Sequence, residues 1–336
     1  MSSAPTPDEI ARDATWLAQA LDPSAGMVRL IAMNRDSYRA TSFLDDRLMA
    51  QPVDAQVVPW PEVEAAMASG LRSDARWIFH IGHVGSTLVS RLLGEIEGVL
   101  GIREPRLLRD LALSPIPVRE GYIGPVAKLM SRTFAGTEVA CVKATSFASE
   151  VAPALVPSGE HALFMYAKPL NYIASILAGE NSLKELHGLS DYRRQRLDAR
   201  ELIFPQPSND AECAAIAWAC EMTSLEAAAD AMTDRRIAWA DFDTMLGDMI
   251  NELARVADFF GFRADRERVQ AIATGPLMQR YSKALEYEYS PELRGELIAQ
   301  EIGLHGQAID TALAMLSASS EKSLLLARAL ERTREA

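Results

Sequence analysis

Cysteine and histidine are scarce in this chain, and basic charge is in deficit. The 336 residues include three cysteines and five histidines. Cys141, Cys213 and Cys220 form no CxxC pair and no zinc-type spacing with the histidines. They read as reduced thiols, and no metal is expected. Lys and Arg total 34 against 46 Asp and Glu, a formal charge of −12. Such a field opposes non-specific binding to nucleic acid or an anionic membrane, although a local site can still hold an anion. No run reaches the ~18 apolar residues of a membrane helix. The opening MSSAPTPDEIARD has no basic or apolar signal region. A GxSxG elbow, low-complexity tracts and 20–50-residue repeats are also missing. The expectation is a cytoplasmic globular protein, 49% hydrophobic and 24% charged, long enough to bury a core without disulfides.

Residues 1–70 read as a helical, loop-rich N-terminal extension, with Ile10, Trp16, Leu17 and Leu21 on one face and no recognisable chemistry. From residue 76 short apolar runs recur: 76–81 (RWIFHI), 99–103 (VLGIR), 139–143 (VACVK), 162–166 (ALFMY) and 236–240 (RIAWA). Continuous runs of this length suit parallel strands buried on both faces. Amphipathic stretches lie between them, the clearest over 244–260, which Gly261 should stop. Alternating strands and helices predict an α/β three-layer sandwich around a parallel sheet, with a core over 71–290. Residues 291–336 read as a C-terminal helical segment.

The most informative stretch joins the first run to its helix, through Gly82, His83, Val84, Gly85, Ser86 and Thr87. Two glycines let backbone N–H groups approach an anion. The following helix turns its positive end toward it, and two hydroxyls add donors. A tight strand–helix turn built from small residues would read the same way. The kinase-type GxxxxGK[ST] pattern fails, because His80 stands at its first glycine and Ser86 at its lysine.

Two family resemblances start from this loop. His80-Ile81-Gly82-His83 spells the HIGH signature of class I aminoacyl-tRNA synthetases, and residues 280–284 (RYSKA) loosely echo their KMSKS loop. The echo lacks its first Lys and last Ser, and the acidic balance suits tRNA poorly.

The second resemblance covers more of the chain. Gly85-Ser86-Thr87-Leu88 resembles the GTTL part of the PRSGTTLL phosphosulfate loop of bacterial sulfotransferases. Arg103-Glu104-Pro105 and Val142-Lys143-Ala144-Thr145 follow the second and third runs, as EP and K-T/S elements do in that family. Residues 166–175 (YAKPLNYIAS) resemble the 3′-phosphate motif RxPxxxxxS. Residues 237–242 (IAWADF) and 259–262 (FFGF) resemble the YEDL and FLGL ending. Each motif is weak alone; five in order over 76–262 are stronger.

This resemblance implies a P-loop-type fold and transfer of a sulfuryl group from 3′-phosphoadenosine 5′-phosphosulfate (PAPS), leaving PAP, to a hydroxyl or amine. It implies a small-molecule nucleotide donor, no metal, and an acceptor the residues do not identify; the oligomeric state is equally silent. Gly82 through Thr87 would hold the 5′-phosphate. Lys143 would place charge at the bridging oxygen. Glu104 would be the general base, unless it only organises the loop by pairing with Arg103, Arg106 or another arginine. His83, where the family has Arg or Lys, is the alternative catalytic group. Lys168 and Ser175 would hold the 3′-phosphate. One departure matters: the arginine of that motif aligns with Ala167, so Lys168 or a basic residue of 191–200 (DYRRQRLDAR) must substitute, or the donor is not PAPS. Residues 280–283 (RYSK) are a further candidate nucleotide contact, and Trp218 either stacks on adenine or packs in the core. A non-catalytic anion-binding relative of the fold is the alternative from another class.

Overall fold

The computed structural model describes residues 4–67, 70–280 and 290–335. Its centre is a parallel sheet of β4 (Arg76–His80), β5 (Val99–Arg103), β6 (Val139–Lys143), β7 (His161–Tyr166) and β8 (Arg236–Asp241), in the order β5-β6-β4-β7-β8. The five apolar runs are these five strands. Trp77, Ile78 and Phe79 are consecutive and wholly buried, as a strand covered on both faces requires. Helices Ser86–Leu93 and Met249–Phe260 pack together on the sheet, and Asp210–Ala231 packs elsewhere, against β4 and the Ser146–Val151 turn. Successive strands run out from β4 toward β5 and then cross to β7. In open sheets of this kind ligands gather beyond the carboxyl ends, where the order reverses.

The N-terminal segment corrects the helical expectation. β1 (Trp16–Asp22), β2 (Met27–Ala32) and β3 (Ala55–Pro59) form an antiparallel sheet. Leu17, Ala18 and Gln19 are all buried in β1, so period-two alternation is lost and the apolar spacing imitates a helix. Gln19 is buried because its amide donates to the Leu44 carbonyl and accepts from Arg29 Nε. In the β1–β2 turn Asp22 accepts from the Ser24 and Ala25 amides, and Gly26 takes the left-handed conformation.

A second correction concerns 244–260. The chain forms Phe242–Gly247 and then Met249–Phe260, with Asp248 between them accepting from the Asn251 amide. A new N-cap inside an apolar pattern restarts the helix without changing its buried face. Gly261 ends it at φ 70°. C-terminally, Pro291–Ser320 is a 30-residue helix that packs on Pro169–Leu177 and Asp210–Ala231, followed by Leu324–Glu335.

Candidate functional site

The carboxyl ends of β4, β5 and β6 open on a cavity of about 360 Å³. The β4–helix loop forms its floor. Gly82, His83 and Gly85 all have positive φ, at 82°, 54° and 59°, and this folds the chain back so that Ser86 begins a helix without a side-chain cap. The uncapped amides of the first turn therefore remain available to an anion. Gly85 is constrained twice. A Cβ there would lie 1.8 Å from Cζ of Phe242, whose ring covers the loop, so the left-handed turn and the close approach both require glycine.

His80 holds this loop. Its Nδ1 accepts from the Gly82 amide at 3.0 Å, and its Nε2 faces the Ala144 carbonyl at 3.0 Å. The ring thus carries its proton on Nε2 and is committed to β4 and β6, not to a synthetase-type nucleotide contact. His83 differs: it is partly exposed on the cavity, with Ser182 Oγ 3.3 Å from its Nδ1.

Parallel register places β5 beside β6, with Arg103 opposite Lys143, and the Glu104 amide donates to the Lys143 carbonyl at 2.8 Å. Glu104 has φ 51°, unusual for a residue with a side chain. Lys143 is 1% exposed, so it is no solvated surface lysine. Its Nζ donates to Glu104 Oε1. The carboxylate also has His80 Nε2 at 3.7 Å and Arg47 Nη2 at 3.7 Å. Neither arginine expected beside it takes part: Arg103 binds the Thr41 and Tyr38 carbonyls, and Arg106 pairs with Asp46 and Asp110.

Phe43, Arg47 and Arg294 are among the lining residues that lie outside the sequence motifs. Arg47 stacks on Phe43, 3.3 Å from the ring centroid, and both line the cavity. The N-terminal segment, in which no chemistry was legible, thus contributes a cation and an aromatic ring. Arg294 comes from the Pro291–Ser320 helix. Its Nη1 is 3.0 Å from Asp243 Oδ1, its guanidinium lies 5.2 Å from the Phe242 centroid, and its buried Nη2 has no hydrogen-bond partner. Only an isolated arginine within a helical stretch pointed to it.

The 3′-phosphate candidates separate. Ser175 lines the cavity, together with Ser182 and Ser146; Lys168 does not. Burial holds the Asp241 carboxyl above its ordinary range, and Lys168 is among the weaker influences that oppose the shift. Ala167 is fully buried, and its carbonyl accepts from Trp218 Nε1 at 2.9 Å. Trp218 is therefore a core residue and not an adenine platform. The basic run of 191–200 takes no part in the cavity; Asp191, Tyr192, Arg194, Gln195, Asp198 and Ala199 form a solvated face, while three of its arginines turn inward. Arg193 pairs with Glu221, Arg200 pairs with Glu150, and Arg196 stacks on Phe147 at 3.5 Å. Arg280 is exposed, and residues 281–283 lie outside the described residues.

No family model and no curated protein sequence matches the chain. Among solved structures it is similar to the sulfotransferase domain from the curacin biosynthetic pathway, with 11% identity, a TM-score of 0.42, and coverage of 66% of this chain and 86% of that one. It is also similar to a mouse sulfotransferase complexed with PAP, at 12% identity, TM-score 0.42, and coverage of 77% and 89%. A third is the sulfotransferase domain of the Synechococcus PCC 7002 olefin synthase, at 13% identity, TM-score 0.39, and coverage of 66% and 86%. Among the described residues no helix is long and apolar enough to cross a membrane.

Proposed function

We propose that the cavity binds a nucleotide carrying phosphate at both the 5′ and 3′ positions, and that the protein is a PAPS-dependent sulfotransferase. The observation that carries this reading is the junction of the Gly82–Thr87 cradle with the buried Lys143 ammonium in one cavity. In a chain of net charge −12, Lys143, Arg47 and Arg294 line one opening together with the carboxylates Glu104 and Glu185, so three cations are gathered where a polyanion would bind.

The donor would supply an activated sulfuryl group; the chain supplies position and charge. The amides and hydroxyls of Ser86 and Thr87 would hold the 5′-phosphate. Ser175 would take the 3′-phosphate, with Arg294 rather than Lys168 as its cation, since the Nη2 of Arg294 is buried and without a partner. Lys143 and Glu104 would work as an exchangeable pair. A bound anion competes for the ammonium, and the carboxylate so released would accept the acceptor's proton as the new S–O or S–N bond forms and the S–O bond to the donor's 5′-phosphate breaks, its electron pair leaving with the phosphate of PAP. His83 faces the same space and would stabilise charge on the leaving side.

A second reading, anion binding without turnover, is favoured by one feature: the Glu104 carboxylate already has Lys143, His80 and Arg47 around it. Thermal denaturation with 3′,5′-adenosine bisphosphate, against 5′-AMP and ATP, tests the site. A selective ligand at ~100 times its dissociation constant adds about 2.7 kcal/mol. No shift at saturating concentrations would sink the PAPS assignment. A selective shift with no sulfuryl transfer from PAPS across hydroxyl and amine acceptors would favour the non-catalytic relative.

A further inference from the structure

Away from the cavity, one cluster of ligating side chains has no part in the proposed function. His187 lies in the last turn of the Glu180–Gly188 helix. Asp210 begins the Asp210–Ala231 helix, and Cys213 lies one turn further on. Positions 210 and 213 share a helix face, and the His187 helix brings an imidazole onto that face. Nε2 of His187 is 3.0 Å from Asp210 Oδ1, and the imidazole, carboxylate and thiol ligand atoms all lie within 4.8 Å of one another. Among the described residues this is the one such group of three.

We propose that His187, Asp210 and Cys213 form a binding site for a borderline-soft divalent cation of the zinc class. A salt bridge accounts for the histidine beside the aspartate and helix spacing for the thiol beside the carboxylate; together they bring three different donor types within reach of one another. One nitrogen, one oxygen and one sulfur donor suit zinc, and they suit magnesium or calcium poorly, because those ions select oxygen. At zinc bond lengths of roughly 2.0–2.3 Å, tetrahedral ligands stand about 3.3–3.7 Å apart. Side-chain rotation alone can close the difference. The supporting backbone is tied down at both sides. Ser190 Oγ donates to the His187 carbonyl at 2.9 Å, and Asn209 caps the second helix by accepting from the Glu212 amide at 3.0 Å. The fourth coordination position would face a cleft of about 200 Å³ walled by Leu202, Ile203, Phe204 and Ile216, on which His187 and Cys213 also lie. Water or a small donor ligand would complete the shell there.

The sequence hid this site, because His187 lies 23 residues before Asp210 and joins Asp210 and Cys213 only through helix packing. The site stands or falls independently of the nucleotide cavity. The test is titration of the full, chelator-treated chain with cobalt(II) chloride, read as the near-ultraviolet thiolate-to-cobalt charge-transfer band and reversed by zinc chloride. The band should appear at one equivalent. It should be absent from C213S, and its midpoint should be at least tenfold weaker in H187A. Both positions reach the surface, so the folded state of each variant is verifiable by circular dichroism. A second readout needs no substitution. Cys141 and Cys220 are buried and Cys213 is not, so zinc should slow alkylation of the accessible thiol at least tenfold. The proposal is overturned if no charge-transfer band forms at tenfold excess cobalt, if the band survives in C213S, or if zinc leaves the alkylation rate unchanged.

Discussion

Two regions of this molecule bury charged side chains, and they balance that charge in different ways. Beneath the Ser190–Asp198 helix, Arg193 faces Glu221, and Arg200 meets Glu150, which also accepts from Ser224. None of these groups lines the cavity at the Gly82–Thr87 loop; Arg193 and Glu221 are almost wholly enclosed, and Arg200 and Glu150 keep 15% and 24% exposure. At the sheet's carboxyl edge, Lys143 and Glu104 form an equally close pair, but one side of it is a cavity. Desolvating an ion is costly, and a buried pair persists because losing one partner strands the other. In the closed network each partner is permanent. In the cavity a ligand anion can replace Glu104, so the same physics yields a structural clamp in one place and an exchangeable site in the other. Burial of charge alone does not identify function; access to an alternative partner does.

The comparison can be broken by experiment. Glu221→Ala should have the largest effect, lowering stability by about 3–5 kcal/mol because Arg193 is left unpaired, while Glu221→Gln, which keeps an acceptor, should lose much less. Equal losses in urea denaturation would mean that the carboxylate charge, not the hydrogen-bond acceptor, is what holds Arg193. Lys143→Ala should cost little of the closed network but lower affinity for 3′,5′-adenosine bisphosphate ten- to hundredfold, the value of a charge-assisted bond at about 1.5–3 kcal/mol. Unchanged affinity by calorimetry would remove Lys143 from the site. Gly85→Ala should cost about 1–2 kcal/mol from its left-handed backbone and displace Phe242; a thermal midpoint equal to wild type would show that the loop is not constrained as described.

The smallest effect is one of pH. Burial opposes ionisation of Glu150, but Arg200 and Arg196 outweigh it and hold this carboxyl below its ordinary value. Its stabilisation is therefore complete above the ordinary carboxylate range and fades as pH falls through the lowered value. Glu221 has the opposite sign. Burial raises it despite Arg193, so its contribution is greatest at low pH and declines as pH rises through the raised value. Glu150→Gln should flatten the acid limb of the stability curve, and Glu221→Gln should flatten the limb above it. Identical limbs in both variants would show that the two carboxyls do not differ as described.

How much of this was legible varies by element. The parallel strands announced themselves because a strand buried on both faces is a short, continuous apolar run. β1 did not, since Leu17, Ala18 and Gln19 are buried together and the run resembles one face of a helix. The loop glycines were visible as residue types, but the contact of Gly85 with Phe242 joins positions 157 residues apart. Phe43, Arg47 and Arg294 carry no local pattern, because a single side chain reaching a cavity imposes none on its neighbours.

The five strands of the parallel sheet, the left-handed stop at Gly261 and the small-residue turn after β4 followed from the sequence itself, because each depends on local propensity or on continuous burial. Which charges meet was decided only by tertiary structure. Register put Lys143 beside Glu104, and helix packing gathered His187, Asp210 and Cys213. Packing likewise turned Arg193, Arg196 and Arg200 of the basic run inward and left Arg194 exposed. Electrostatic pairing acts over a few ångströms in space and is indifferent to distance along the chain.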